Sequence, residues 1–222
     1  SECDTFGANA ATCHGRSMVE MLGVLAIIGV LSVGGITAFG TMFNRYKINE
    51  TQIQANAIAA KISAYGSESA SYDGLTNVAA IKMGAVPSKA VADADKGELT
   101  NLYRGSITIS GAPLFNKSTD ILAYTITYNN LPKDACAAMA SYNWGKESSS
   151  LIGVGVGAAD SDISKIEATL YKGCDGFKSN GSNTYSVACN KGKTVSIPMP
   201  PSSLGSACEC KNDTCVLVLK FI

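Results

Sequence analysis

Hydrophobic and polar positions divide the first third of the chain into two unlike halves of one helix. Met21 to Phe43 is a run of 23 residues without a charged side chain. At about 1.5 Å per residue this run is long enough to cross a hydrocarbon core of about 30 Å. Charge then returns, but apolar residues recur at helical intervals of three and four: Ala55, Ile58, Ala59, Ile62 and Tyr65. We therefore predict one helix over residues 17–65, apolar in its first half and amphipathic in its second.

The rest of the chain alternates turn signals with short β-branched or alternating runs. Asp73-Gly74 predicts a turn, and a short helix is expected over 75–83, ended near Gly84 and Pro87. The predicted strands are SITIS (106–110), LAYTITY (122–128), IEATLY (166–171), TVSIPM (194–199) and TCVLVLKFI (214–222). A helix in LPKDACAAMASYN separates the second strand from the third, with Pro132 and Asp134 favourable in its first turn. This order predicts an α+β fold, a long N-terminal helix packed on an antiparallel sheet.

Charge and cysteine content narrow the class of protein. Eighteen basic residues balance eighteen acidic ones, and no basic cluster is longer than a pair, so direct nucleic-acid binding is not expected. The chain has eight cysteines, many for a cytosolic protein of this size. Six of them lie in the C-terminal half: Cys136, Cys174, Cys189, Cys208, Cys210 and Cys215. That half is expected to fold in an oxidising compartment.

Neither catalysis nor metal binding is supported by the residue types present. His14, near the N-terminus, is the only histidine, and no nucleophile elbow or phosphate loop occurs. Cys208, Cys210 and Cys215 have C-x-C-x4-C spacing without a nearby histidine or a second C-x-x-C, so disulfides are favoured over a metal. Six cysteines allow fifteen pairings. Asp160 and Asp162 resemble calcium ligands, but a solvated loop is the better interpretation. We expect no enzyme activity, no cofactor and no metal.

Glu20 is a carboxylate at the edge of the apolar run. Its charge is costly in lipid or in a helical core unless a partner neutralises it. One interpretation is a partner on another chain. The alternative is a first-turn carboxylate favoured by the helix dipole and paired with the side chain of its own Arg16 four residues earlier.

Gly15, followed five residues later by Glu20 and then by the apolar run, resembles the class III leader junction of type IV pilins and pseudopilins. Three later segments resemble the loop, first strand and cysteine-bearing helix of type IVb pilins. They are YDGLTNVAAIKMGAVPS, ELTNLYRGSITISG and YTITYNNLPKDACAAMAS. The resemblance covers roughly residues 15 to 142, and it implies a pilin fold and a filament-forming subunit.

The resemblance implies a role for each part of the N-terminal region. A prepilin peptidase would cut between Gly15 and Arg16 and N-methylate the new amine, which would then meet Glu20 of a neighbouring subunit. Residues 1–15 would be a leader or tail, 16–45 the membrane and filament-core half of the helix, and 46–222 a disulfide-rich extracytoplasmic domain. The filament-core positions are Met21, Leu22, Leu25, Ile28, Leu31, Gly34 and Gly35. The two glycines either permit close helix packing or reflect the usual glycine content of membrane helices.

The resemblance also suggests a disulfide between Cys136 and Cys208, which would join the second helix to the region before the last strand. We expect the other pairs to be Cys174 with Cys189 and Cys210 with Cys215.

The expected function is that of a subunit that polymerises into a type IV pilus for adhesion, aggregation or conjugation. Its partners would be further copies of itself, the prepilin peptidase, the pilus assembly machinery and the bacterial inner membrane before assembly into an extracellular filament. Two alternatives remain: a minor pilin or type II secretion pseudopilin, and a membrane-anchored extracytoplasmic binding module that never assembles.

Overall fold

A computed structural model describes residues 18–69, 71–113, 121–144, 151–158, 177–179, 185–187, 201–210 and 213–222. The chain divides into two compact units, 1–45 and 46–222. The predicted strands at 166–171 and 194–199, and the expected leader at 1–15, lie outside the described residues.

Helix α1 spans Met18–Ser69, 52 residues, which confirms the prediction of one long helix. The hydroxyl groups within its apolar half bond back to the helix itself. Ser32 Oγ donates to the Ile28 carbonyl at 2.7 Å, and Thr41 Oγ1 to the Thr37 carbonyl at 3.2 Å. These bonds satisfy the hydroxyl groups locally, so they do not require water in an apolar setting.

The sheet of the second unit is antiparallel throughout, as predicted. Its six strands are β1 (Val91–Asp93), β2 (Glu98–Thr100), β3 (Ser106–Ala112), β4 (Ala123–Pro132), β5 (Leu151–Ala158) and β8 (Thr214–Phe221). Their order is β1-β2-β3-β4-β8-β5, so the last strand lies between β4 and β5. A separate two-stranded sheet contains β6 (Phe177–Ser179) and β7 (Tyr185–Val187).

Among the described residues, three short helices accompany the sheet: α2 (Asn77–Lys82), α3 (Lys133–Ala140) and α4 (Pro201–Ala207). A 3-10 turn follows α2 at Ser88–Ala90. Helix α2 begins where Thr76 Oγ1 accepts a hydrogen bond from the Ala79 amide at 3.3 Å. Asn77 then holds α2 against β3, donating to the Ile107 carbonyl at 3.0 Å and accepting from the Ile109 amide at 2.7 Å.

The core forms where the second half of α1 packs on one face of the sheet. Four of the five predicted positions of α1 are buried, Ala55, Ile58, Ala59 and Ile62, whereas the fifth, Tyr65, is 50% exposed and does not belong to the buried face. Ala55, Ile58, Ala59 and Ile62 belong to one cluster with sheet residues that include Ile109, Ile126 and Leu219. Tyr124 of β4 fixes the position of α1 on the sheet. Its hydroxyl donates to the Ala59 carbonyl at 3.0 Å and lies 2.9 Å from Ser63 Oγ.

The structure also contains elements that the sequence pattern did not predict. These are β1, β2, β5, β6, β7 and α4. Strand β5 was missed because its sequence, LIGVGVGA, alternates glycine with apolar residues, and glycine disfavours strands in isolation. Pairing with β8 over the whole of β5 overrides that preference.

Candidate assembly surface and cysteine cluster

The first half of α1 exposes large apolar side chains on every face. Their exposed fractions range from 47% at Phe43 to 83% at Met18. The most apolar window of the helix is 0% buried, and by length and composition it could cross a membrane. An apolar surface of this extent is not stable in water, so it requires lipid or other helices.

The predicted filament-core positions all lie on this exposed surface. Met21, Leu22, Leu25, Ile28 and Leu31 are each more than half exposed. Gly34 and Gly35 lie in the same helix, and a Cβ atom built at either would meet no atom within 4 Å. Packing within the described chain therefore does not explain these two glycines.

Glu20 lies in the first turn of α1 and is exposed. A carboxylate is favourable there, because the first backbone N–H groups of a helix have no partner within it. Gly15 and Arg16, the predicted processing site and the predicted partner of Glu20, lie outside the described residues.

The second half of α1 carries an exposed stripe opposite its buried face. Tyr46 and Ile53 lie on that stripe, each slightly more than half exposed. Beside Ile53 a groove of about 370 Å³ opens between the helix and two separate segments, residues 87–89 before β1 and residues 100–102 at the end of β2. Gln54 Oε1 also lines the groove; it is buried and has no hydrogen-bond partner among the described residues. Sequence reasoning missed this groove, because its two sides are about 35–50 residues apart in the chain.

A tight turn between β2 and β3 packs against the same helix. Its centre is Asn101, which donates to the Asn129 carbonyl at 2.7 Å and accepts from the amides of Tyr103 at 2.8 Å and Gly105 at 3.0 Å. The Tyr103 ring faces the Lys47 ammonium 5.5 Å from its centroid, a cation–π contact. Burial, and secondarily the charge of Asp134, raise the pKa of Tyr103 to about 12.

Two disulfides occur side by side at the start of β8. Cys136 is joined to Cys208, and Cys210 to Cys215. The sulfur atoms of Cys136, Cys210 and Cys215 lie within 4.8 Å of one another. Cys136, Cys208 and Cys215 are buried, whereas Cys210 is only partly buried.

Strand register explains why these cysteines meet. Leu131 pairs with Cys215, and Pro132 pairs with Thr214. Because α3 begins immediately after β4, its first turn brings Cys136 beside the first residues of β8. Lys133 Nζ lies 2.9 Å from Asp213 Oδ1 at the outer end of this junction, which raises the pKa of Lys133.

Several other predicted residues lie outside the described residues: Cys174, Cys189, Asp160, Asp162 and His14. Trp144 is described and is nearly buried, with its ring edge-on to Tyr142 at 5.0 Å and to Phe221 at 6.3 Å. Trp144 is thus a packing residue of the core.

Comparison with known proteins identifies the class to which this helix and sheet belong. The described residues form a long N-terminal helix whose second half packs on an antiparallel sheet, the arrangement that the resemblance to pilins predicted. Residues 45–199 match the model described as PilS N terminal. That match spans well over half of the chain, so the chain belongs to the PilS N-terminal family. The family match bears out the predicted resemblance to type IV pilins, and the chain is a pilus subunit.

Among solved structures, the chain is similar to TcpA, a type IV pilin from Vibrio cholerae El Tor biotype. The two share 9% identity, with 80% of this chain and 99% of TcpA covered and a TM-score of 0.49. None of the curated proteins matches the chain. Pilin families are structural rather than enzymatic.

Proposed function

We propose that this pilin polymerises through the first half of α1 into a homo-oligomeric type IV pilus, which serves adhesion, aggregation or conjugation. The observation that carries the proposal is the apolar helix surface, exposed on all faces. In the precursor, lipid of the bacterial inner membrane covers this surface. In the extracellular filament, the helices of neighbouring subunits cover it instead.

In this proposal the apolar residues and the glycines of α1 have different roles in assembly. Met21, Leu22, Leu25, Ile28 and Leu31 contact neighbouring helices. Gly34 and Gly35 let those helices approach closely, which is supported by the open space around both glycines. The pilus assembly machinery transfers subunits from lipid into the filament.

Glu20 sets the register of assembly in this proposal. A prepilin peptidase cuts between Gly15 and Arg16, and the freed, methylated amine remains cationic. When Glu20 of one subunit meets this amine of the next, the cost of removing both charges from water is offset by their hydrogen-bonded pairing. Helices out of register leave both charges unpaired in an apolar core, and such packing is disfavoured.

Substitution of Glu20 tests whether this residue sets the register between the helices of neighbouring subunits. We expect Glu20→Ala to abolish or strongly reduce filaments sheared from cells, while the membrane level of the subunit stays normal. Glu98→Ala is the matched control, because Glu98 is an exposed carboxylate on β2, and it should leave filament yield unchanged. Normal filaments from Glu20→Ala would show the register argument to be wrong.

Mass spectrometry of the N-terminus tests processing. A methylated peptide that begins at Arg16, recovered from sheared filaments, is the expected result. An unprocessed N-terminus upstream of Gly15 would instead favour a membrane-anchored module that never assembles.

A further inference from the structure

The turn between β2 and β3 presents one arginine at its tip. Arg104 is exposed, and among the described residues its guanidinium group has no hydrogen-bond or ion-pair partner. Its backbone lies in the left-handed region at φ 62°, which favours glycine over a residue with a side chain. The three hydrogen bonds of the Asn101 side chain hold the turn, and Asn130 Nδ2 donates to the Tyr103 carbonyl at 2.9 Å. Arg104 is therefore a cation on a well-supported turn, available to a further group.

The turn lies beside the part of α1 that directly follows the apolar run. Lys47 Nζ is 5.5 Å from the centroid of the Tyr103 ring. Lys47 is four residues beyond Phe43, the last residue of the uncharged run, so the helix rises about 6 Å between them. The headgroup layer on each side of a hydrocarbon core of about 30 Å is about 5–8 Å thick. When the apolar run occupies the core, Lys47 and the Tyr103 ring therefore lie at the depth of the headgroups.

The side chains at this level suit a membrane interface. Tyr46 is 54% exposed and Tyr103 is half-buried. Tyrosine is enriched at membrane interfaces, because its ring is apolar and its hydroxyl is polar. An arginine guanidinium binds phosphate through two parallel N–H···O bonds and is more weakly hydrated than an ammonium group. Its long apolar stem also lets the charge reach the headgroup layer.

Two carboxylates lie near the turn, and both have partners. Glu50 Oε1 is 3.8 Å from Lys89 Nζ, and Asp134 accepts a hydrogen bond from the Ala135 amide at 2.9 Å. Neither forms an ion pair with Arg104. An anion from outside the chain can therefore meet Arg104 without displacing an ion pair of the described residues.

We propose that Arg104 of the membrane-inserted precursor binds the phosphate group of a phospholipid headgroup. Lys47 adds a second positive charge at that depth, and Tyr46 and Tyr103 lie at the same interface. This rests on the proposed function, in which lipid covers the first half of α1 before assembly. The contact seats the β2–β3 turn on the membrane surface and fixes the depth of α1 in the bilayer. Transfer of the subunit into a filament requires the contact to break.

Native mass spectrometry of the full chain in detergent micelles tests the proposal. Phosphatidylglycerol is the probe, and diacylglycerol with the same acyl chains is the reference, because it lacks the phosphate. We expect phosphatidylglycerol to bind at least about fivefold more tightly, the factor that one basic residue adds near a membrane surface. Equal affinities for the two lipids would overturn the proposal. Inorganic phosphate at the concentration of the lipid should not compete; if it does, the site takes free anions and the headgroup proposal is wrong.

Charge variants assign the preference to the turn. Arg104→Gln should remove most of the preference for phosphatidylglycerol, whereas Arg104→Lys, which keeps the charge, should retain it. An unchanged preference in Arg104→Gln would contradict the proposal. Circular dichroism of each variant checks that the fold persists.

Lys82→Gln is the matched control, because Lys82 is an exposed cation in α2. The next residue, Met83, accepts a hydrogen bond from the Tyr65 hydroxyl, and Tyr65 is eighteen residues beyond Lys47 in α1. Along the helix this is about 27 Å, which exceeds the screening length of about 10 Å. Lys82→Gln should therefore change the preference by less than about twofold. A loss as large as that of Arg104→Gln would mean that net charge alone sets the preference, and would overturn the proposal.

Hydrogen exchange of the full chain in phospholipid vesicles separates this proposal from the proposed function. Slow exchange of the amides of residues 21–43 shows that the apolar run is inserted, because lipid excludes water from the helix. If the run is inserted and the phosphate preference is absent, the headgroup contact is wrong and the proposed function stands. Rapid exchange of these amides would contradict the membrane-inserted precursor, and with it both proposals.

Discussion

At the scale of single residues, two tyrosines of β4 have the same burial but different surroundings. Tyr124 and Tyr128 are both fully buried. The Tyr124 hydroxyl has the Ala59 carbonyl and Ser63 as hydrogen-bond partners. The Tyr128 hydroxyl has no partner among the described residues, and burial raises the pKa of Tyr128. A buried polar group without a partner destabilises a fold.

The two tyrosines therefore predict opposite responses to loss of the hydroxyl. We expect Tyr128→Phe to leave the free energy of unfolding unchanged or to raise it by about 1 kcal/mol, because the ring stays and only the unpaired hydroxyl is lost. Tyr124→Phe should lower it by about 1 kcal/mol through its lost hydrogen bonds. Urea unfolding of the full chain in micelles, followed by circular dichroism, measures both. A larger loss from Tyr128→Phe than from Tyr124→Phe would contradict this.

Asn101 is the residue on which the β2–β3 turn depends. It makes three hydrogen bonds to backbone groups from a buried position. Asn101→Ala leaves those groups without partners and should lower the free energy of unfolding by about 2–3 kcal/mol. Asn129→Ala is the control, because its side chain makes one exposed bond, to Ser106 Oγ, and should cost less than about 1 kcal/mol. The same urea unfolding assay measures both variants. Equal losses of free energy of unfolding from Asn101→Ala and Asn129→Ala would contradict the role proposed for Asn101.

At the scale of elements, the second half of α1 contains a matched pair of isoleucines. Ile58 is completely buried against the sheet, whereas Ile53 is 53% exposed. Ile58→Ala should lower the free energy of unfolding by about 2–4 kcal/mol through lost burial and a residual cavity. Ile53→Ala should lower it by less than about 0.5 kcal/mol. Chemical unfolding of both variants checks this, and similar losses would mean that the two faces of α1 are not distinct in solution.

Elements with a strong periodic signal were predictable from the sequence. The helix expected over 17–65 is observed as Met18–Ser69, because apolar spacing extends over many turns. The strands expected at 106–110, 122–128 and 214–222 are also present. Their β-branched residues prefer an extended backbone in any context, so local propensity and tertiary pairing agree.

Elements that depend on distant partners were not predictable. Strand β5 forms on glycine-rich sequence because β8 supplies its hydrogen bonds. From the residues alone the same holds for the Cys136–Cys208 bond, which spans 72 residues and depends on the pairing of β4 with β8; only the resemblance to type IVb pilins suggested it. The spacing of Cys208, Cys210 and Cys215 suggested a local group but by itself left the partner of Cys208 open. Likewise, the groove beside Ile53 requires residues 87–89 and residues 100–102 to lie against α1.

At the scale of the whole molecule, the two described disulfides differ mainly in the length of chain that each closes. The Cys136–Cys208 bond spans 72 residues and the Cys210–Cys215 bond only 5. In the chain-entropy model, a cross-link stabilises the fold by restricting the unfolded chain, and the effect grows with the logarithm of loop length. That relation gives about 4 kcal/mol for the long loop and about 2 kcal/mol for the short one.

Paired serine variants test this difference. The double variant Cys136→Ser with Cys208→Ser should lose about twice as much free energy of unfolding as Cys210→Ser with Cys215→Ser. Both remove two buried or partly buried sulfurs from the same cluster, so the cost of local packing is similar in the two and the remaining difference reports loop length. Unfolding is measured without reductant in identical micelles. If the short bond proves the more stabilising, the two disulfides act through native packing around β8 instead of through the unfolded chain, and the junction of α3 with β8 is the region that limits stability.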